Sequence, residues 1–143
     1  GATMGRRAAI LGIAALAAAS LAPVALAQDP RSSAAQEVAR EWLVLADRQQ
    51  ADAARKAAGA KFRDALSAEG WRDALARQRQ PLGDVTQRTV AATRLAGTLP
   101  GQSDGDYALV AFRTSWANKT VGRELVSLEF EGGAWRVIGY VIQ

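Results

Sequence analysis

The side chains of this chain that could act as acids and bases are tyrosines and carboxylates, because the sequence contains no histidine and no cysteine. Ser-His-Asp triads, cysteine nucleophiles and zinc-hydrolase centres therefore cannot be built. A tyrosine donor and a carboxylate base can still catalyse isomerisation or dehydration when an apolar pocket raises the pKa of the carboxyl. Tyr107, Tyr140 and Glu124 are the candidates for such a catalytic set.

Glu124 is the member of this set whose position is most informative. In a predicted strand, strict alternation places it on the same face as Val126, Leu128 and Phe130. This is the face assigned to a core or pocket. An unpaired ionised carboxylate is unfavourable in such surroundings, so the group needs a partner or a raised pKa. We therefore expect a partly buried Glu124.

Arg88 is the expected partner of Glu124. It shares a face with Val90 and Ala92 on the preceding predicted strand, and its long side chain can reach across an intervening strand where the residue there is small. Arg113 is the alternative partner. A buried ion pair that fixes the register of the sheet and a ligand-anchoring role are both open interpretations of this pair.

Four tryptophans form the other group of candidate residues: Trp42, Trp71, Trp116 and Trp135. Large aromatic rings contribute strongly to burial, so core packing is the first interpretation. A ligand pocket between helices and sheet is the second, with Trp42, Arg88, Trp116 and Trp135 as candidate binding residues. Trp116 lies beside a predicted turn, and we expect it to be the exposed one.

The remaining charged residues predict no metal, cofactor or nucleic-acid site. Asp104 and Asp106 supply too few oxygens for calcium, and Arg72, Arg77 and Arg79 are expected on a solvated helix face. The chain has 18 Lys+Arg against 14 Asp+Glu, and the two signs are interspersed. A phosphate backbone requires a basic stripe, which this pattern lacks.

The first 27 residues have the pattern of a bacterial secretory signal. Basic Arg6 and Arg7 precede an uncharged, alanine-rich run over 8–27 that contains a proline and ends in Ala-Leu-Ala. Cleavage is expected after Ala27, which would place the protein in the periplasm or outside the cell. A retained membrane anchor is the alternative, and residues 1–3, ahead of the only methionine, suggest a cloning remnant or an upstream start.

Residues 28–33 are expected to form a flexible terminus, and 34–143 a single α+β domain. Three helices are predicted first. The first follows a cap at Ser33 and buries Val38, Trp42 and Leu45. The second covers Ala51–Ala65, and the third lies between Ser67 and Pro81.

Four strands are predicted after the helices. Alternating, β-branched segments separated by turn residues place them at Asp84–Thr98, Tyr107–Trp116, Val121–Phe130 and Ala134–Ile142. Short connections between consecutive strands favour an antiparallel meander. The fold class is therefore α+β, with three N-terminal helices packed on a curved four-stranded sheet.

A set of spaced motifs runs from Trp42 to Tyr140. Its members are Trp42, Leu45, Asp47, Phe62, Trp71, Arg79-x-Pro81-Leu82-Gly83, Arg88, Leu99-Pro100-Gly101, Asp104-Gly105-x-Tyr107, Phe112, Thr114, Asn118-Lys119, Glu124, Val126, Leu128, Gly133-x-Trp135-Arg136-Val137 and Gly139-Tyr140. The set resembles a bacterial exported family known as domain of unknown function 4019. The chain departs from it over 53–57, where the family usually has a Tyr-x-x-Ser-Trp-like stretch. The resemblance implies an envelope location and, by analogy, a cystatin-like or nuclear-transport-factor-type cone.

These observations favour a non-catalytic binding module in the cell envelope, whose partner is a protein, a peptide or a small apolar ligand. The first alternative is an isomerase or dehydratase that uses the Tyr–carboxylate set. The second is a structural assembly module, such as a homodimer formed through the open face of the sheet. Membrane contact is expected only through an uncleaved signal.

Overall fold

The structure, a computed structural model, describes residues 29–143, so the predicted signal over 1–27 and Gln28 lie outside the described residues. The helices are α1 (Pro30–Asp47), α2 (Ala51–Ala57), α3 (Ala60–Ala65) and α4 (Ala68–Arg79), followed by a short 3-10 helix at Gln80–Leu82. Helix α1 begins at Pro30, inside the segment predicted to be flexible. Proline suits the first helical position because its missing N–H would have no partner there.

The strands are β1 (Val85–Ala96), β2 (Tyr107–Trp116), β3 (Lys119–Glu131) and β4 (Ala134–Ile142). They form one antiparallel sheet in the order β1-β2-β3-β4, which confirms the predicted meander and the α+β class. The bounds of β2 and β4 are those predicted from the alternating pattern.

The prediction of a single second helix over Ala51–Ala65 is wrong, so within residues 29–143 four helices precede the sheet instead of three. The break lies at Gly59, whose backbone N–H donates to the Val137 carbonyl of β4 at 2.8 Å. A Cβ at Gly59 would lie 2.7 Å from Glu131 Oε1 and 3.0 Å from the Cβ of Arg136. The helical layer therefore contacts the edge of β4 closely where a side chain would not fit.

The core lies between α1, α4 and the inner face of the sheet, meaning the face turned towards the helices. Trp42 is 3% exposed, and its indole N–H donates to the Ala54 carbonyl at 2.8 Å. Val38 and Leu45, predicted as core, are only partly buried. The centre of the α1 face is occupied instead by Ala35, Ala39, Leu43 and Ala46, and its small residues let α1 approach the sheet.

A β-bulge changes the face of β1 at its centre. The register with β2 shifts between Val90 and Ala92. Arg88 and Val90 share a face as predicted, and both are half-buried, but Ala92 is exposed, so its expected place on that face is wrong. The extra residue of a bulge reverses the alternation beyond it, which brings Thr93 and Leu95 to the inner face.

Candidate functional site

Six polar side chains meet between the helical layer and the inner face of the sheet. Each comes from a different element, and we call the set the buried charge cluster: Asp47, Arg79, Arg88, Thr114, Glu124 and Tyr140. Asp47 and Arg79 are the last residues of α1 and α4, and the other four lie on β1 to β4 in chain order. The ends of two helices and all four strands are therefore joined at one point.

Glu124 is fully buried, with none of its surface exposed, and so is Thr114. Its Oε1 accepts from Arg88 Nε at 2.8 Å and from the Thr114 hydroxyl at 2.6 Å. Its Oε2 accepts from the Tyr140 hydroxyl and from Arg88 Nη2. The predicted Arg88–Glu124 pair is confirmed, with Thr114 as the small residue on the strand between them, and Glu124 is fully rather than partly buried.

Asp47 is the second acceptor of the cluster. Its two oxygens accept from Arg88 Nη1 and Nη2 at 2.8 Å each, and Oδ1 also accepts from Arg79 Nη2 at 2.6 Å. Arg79 Nη1 lies 3.3 Å from the Tyr140 hydroxyl oxygen. Arg79 is 3% exposed, so the prediction that it belongs to a solvated face is wrong.

The electrostatics follow from this packing. Burial alone would raise the pKa of Asp47, but hydrogen bonds and charge from Arg88 and Arg79 outweigh it and hold the pKa below its ordinary value. Burial would lower the pKa of Arg88, and the two carboxylates raise it above its usual range instead. Burial and the charge of Glu124 raise the pKa of Tyr140 far above that of a free phenol. Tyr140 is therefore a neutral donor.

The predicted catalytic set does not assemble as a unit. Glu124 and Tyr140 are hydrogen-bonded, but Tyr107 donates its hydroxyl to the Ser103 carbonyl at 2.6 Å. Tyr107 pairs in register with Glu129, five residues along β3 from Glu124, which corresponds to about 17 Å of strand. Both carboxylate oxygens of Glu124 accept hydrogen bonds from other side chains of the protein, and no part of Glu124 is accessible to a substrate.

Trp116 is buried at 2% exposure, so the prediction that it is exposed is wrong. Its ring lies against Gly122 of β3, where an added Cβ would come within 2.6 Å of the ring. The missing side chain at Gly122 leaves the space that the indole fills. Trp116 therefore contributes to packing, as Trp42 does.

Trp135 lies at an opening of the inner face. It is 5% exposed and makes an edge-to-face contact with Phe130 at 5.4 Å between ring centroids, while Phe130 itself is 47% exposed. Together with Tyr107 these rings line a cleft of about 340 Å³, which we call the aromatic cleft. Its other lining residues are Arg31, Leu95, Ala96, Gly97 and Asp106. It is an accessible, mostly apolar concavity.

Lys61 lies beside the aromatic cleft. Its ammonium binds the Glu129 carboxylate at 2.8 Å and lies 5.5 Å from the centroid of the Tyr107 ring. The hydrogen bond to Glu129 raises the pKa of Lys61 despite some loss of hydration. The positive charge of Lys61 next to the Tyr107 ring is thus balanced by the Glu129 carboxylate.

Sequence reasoning missed Asp47, Arg79 and Thr114 as members of the cluster, although signals for two of them existed. Arg79 follows Trp71 and Leu75 at spacings of four, so it continues the buried face of α4. Asp47 ends α1, where a negative charge is unfavourable next to the helix dipole and so suggests a specific partner.

A family model described as protein of unknown function (DUF4019) matches residues 38–140, and the chain belongs to this family. No curated protein and no solved structure shows significant similarity to the chain, so the likeness to a cystatin-like or nuclear-transport-factor-type cone stays a prediction. Within residues 29–143, no helix is both long and apolar enough to cross a membrane. The same residues contain no cluster of three or more potential metal ligands.

Proposed function

We propose that this member of the family is an exported, periplasmic binding module without catalytic activity, and that it takes a small apolar group in the aromatic cleft. The observation that carries the proposal is a separation of roles. Glu124 and Tyr140, two of the three candidate acid–base groups, bind each other in the buried charge cluster, whereas an accessible concavity is lined by the rings of Tyr107, Phe130 and Trp135.

The size and lining of the aromatic cleft suit a small ligand or one side chain of a peptide. Its volume of about 340 Å³ is at the lower end of the range found for ligand pockets, about 300–1,000 Å³. Phe130 leaves about half of its surface in water, and covering that ring is favourable by the hydrophobic effect. Aromatic rings also recognise other rings through edge-to-face contacts.

The Tyr–carboxylate enzyme hypothesis has less support. A general base must reach the proton that it abstracts. Glu124 is enclosed by Arg88, Thr114 and Tyr140, and the Tyr140 hydroxyl is directed at Glu124 rather than at a cavity. The environment of Glu124 therefore favours a fixed carboxylate in a structural role.

Export rests on the sequence of the first 27 residues. The basic start, the apolar run and the Ala-Leu-Ala end support cleavage after Ala27. The intact mass of the protein recovered from the native cell envelope tests this. A mass that begins at Gln28 is expected, and a mass that still includes residues 4–27 would favour the membrane anchor.

Binding is tested with the neutral apolar dye N-phenyl-1-naphthylamine, whose fluorescence rises in apolar sites. Phe130→Ala should weaken dye binding at least tenfold. Val141→Ala is the matched control, because Val141 is 48% exposed against 47% for Phe130 but does not line the cleft. Control binding should stay within twofold of the unmodified protein. Equal losses in both variants, or no saturable binding, would overturn the proposal.

A further inference from the structure

The outer face of the sheet, turned away from the helices, carries a pair of arginines directly opposite each other. Arg113 of β2 pairs in register with Arg123 of β3, and both side chains are exposed. Residues that face each other in this way have Cβ atoms about 4.5–5.5 Å apart, and like charges there are destabilising. Across residues 29–143 neither arginine forms an ion pair with an acidic side chain.

The surroundings of this pair add no negative side chain. Thr89 flanks Arg113 on β1, and the neighbouring cross-strand row is apolar, with Ala111 and Leu125 at its centre. A depression of about 480 Å³ lies over the pair, and its other lining residues are Ala91, Phe112, Val121, Gly122 and Gln143. Two guanidinium groups without an acidic side chain as partner therefore border one concave space.

This arrangement of two guanidinium groups suits a ligand that is an oxyanion with several acceptor oxygens. A guanidinium group presents a planar fork of N–H donors that matches phosphate and carboxylate geometry. A dianion placed between the two groups turns their mutual repulsion into two attractions. Phosphate supplies both the charge and oxygens for two separate forks, which a single carboxylate does not.

A second copy of the chain fits this face less well. Arg94 lies on the same outer face, in register with Leu109, two rows from the arginine pair. Pairing two copies through this face would set arginines of one copy near those of the other, and Glu129, in the row next to that of Arg94, already binds Lys61.

We propose that Arg113 and Arg123 form a binding site for the phosphate group of a small phosphorylated ligand. This site lies on the opposite face of the sheet from the buried charge cluster, and it does not depend on the function proposed for the aromatic cleft. The like-charge pair is the signature of the site, because it is unfavourable when empty and favourable when an anion is bound.

The empty and the phosphate-bound site predict opposite effects of Arg113→Gln on thermal stability. In chloride buffer, Arg113→Gln should raise the melting temperature by about 1–4 °C, because it removes the repulsion. Inorganic phosphate at constant ionic strength should then stabilise the unmodified protein but not Arg113→Gln or Arg123→Gln. Arg94→Gln is the matched control, because Arg94 is exposed on the same face but has Leu109 opposite it.

Titration of the arginine Nε–H resonances with inorganic phosphate measures the affinity directly. Saturable shifts at Arg113 and Arg123, weakened at least fivefold by Arg113→Gln and unchanged within twofold by Arg94→Gln, are the expected result. Equal weakening in Arg94→Gln, or an absence of saturable shifts, would overturn the proposal. Binding to phosphatidylglycerol vesicles without a response to inorganic phosphate would also overturn it and assign the face to a lipid surface.

Discussion

Asp47 and Arg88 join α1 to β1 through two parallel hydrogen bonds, each 2.8 Å long. This is the fork geometry in which arginine binds a carboxylate most strongly. The third donor of Arg88, its Nε, binds Glu124 at 2.8 Å, so one guanidinium group holds a carboxylate of the helical layer and one of the sheet. The two layers are therefore linked by charge as well as by apolar packing.

The Arg88–Glu124 contact predicts strongly non-additive substitutions. Arg88→Met leaves Glu124 buried without its cation and should lower the free energy of unfolding by about 3–5 kcal/mol. Glu124→Gln alone leaves Arg88 without one of its two carboxylates. The double variant should lose clearly less than the two single losses added together, as measured by urea unfolding. Additive losses would show that the two side chains are not coupled.

Asp47 predicts a loss of stability in acid. Its pKa is lowered in the folded protein, so its contribution is present above the unfolded value of about 3.9 and is lost as the pH falls through the folded pKa. The free energy of unfolding should fall below pH 4, and Asp47→Asn should make that fall shallower. Asp52→Asn is the control, because its side chain is 76% exposed. If the free energy of unfolding falls equally steeply below pH 4 in the unmodified protein and in Asp47→Asn, Asp47 is not a cause of the loss of stability in acid.

The strands and the Arg88–Glu124 pair were accessible from sequence because both follow from alternation with a period of two. A charged residue among apolar ones, at a buried position of β3, calls for a partner, and Arg88 lies at a matching position of β1. The family resemblance supplied no residue roles. Local pattern and the cost of burying a charge were sufficient for this part of the site.

Other features depend on contacts between distant segments, which local pattern does not contain. Asp47 and Arg79 meet because the ends of α1 and α4 come together, 32 residues apart in sequence. Trp116 is buried because Gly122, across the strand pair, leaves room for its ring. The break at Gly59 reflects close packing on β4. Each of these follows from a tertiary neighbour that overrides the local expectation.

Gly122 predicts an overpacking effect. Its added Cβ would lie 2.6 Å from the Trp116 ring, which is enclosed and cannot move freely. Gly122→Ala should therefore lower the free energy of unfolding by about 1–3 kcal/mol in a denaturant titration. Gly139→Ala is a matched control in β4, where the nearest atoms to an added Cβ are 3.6 Å away. Similar losses in both variants would mean that the Trp116 contact is not the cause.

Tyr140 predicts a loss of stability in alkali. Burial and the charge of Glu124 raise its pKa in the folded protein above the value of about 10 expected in the unfolded chain. Its contribution is therefore fully present below pH 10 and is lost as the pH rises above that value towards the folded pKa. Tyr140→Phe should lower the free energy of unfolding at pH 7 by about 1.5–3 kcal/mol, because a hydrogen bond to a charged group is removed.

The same substitution should flatten the decline in stability above pH 10, because no phenol then remains to be kept neutral inside the fold. Tyr107→Phe serves as the control, since it removes a hydrogen bond to the Ser103 carbonyl rather than to a carboxylate. Urea unfolding of all three proteins between pH 7 and pH 11.5 makes the comparison, and lysine titration affects each of them alike. A decline in Tyr140→Phe as steep as in the unmodified protein would show that the Tyr140–Glu124 contact does not govern the alkaline limit of the fold.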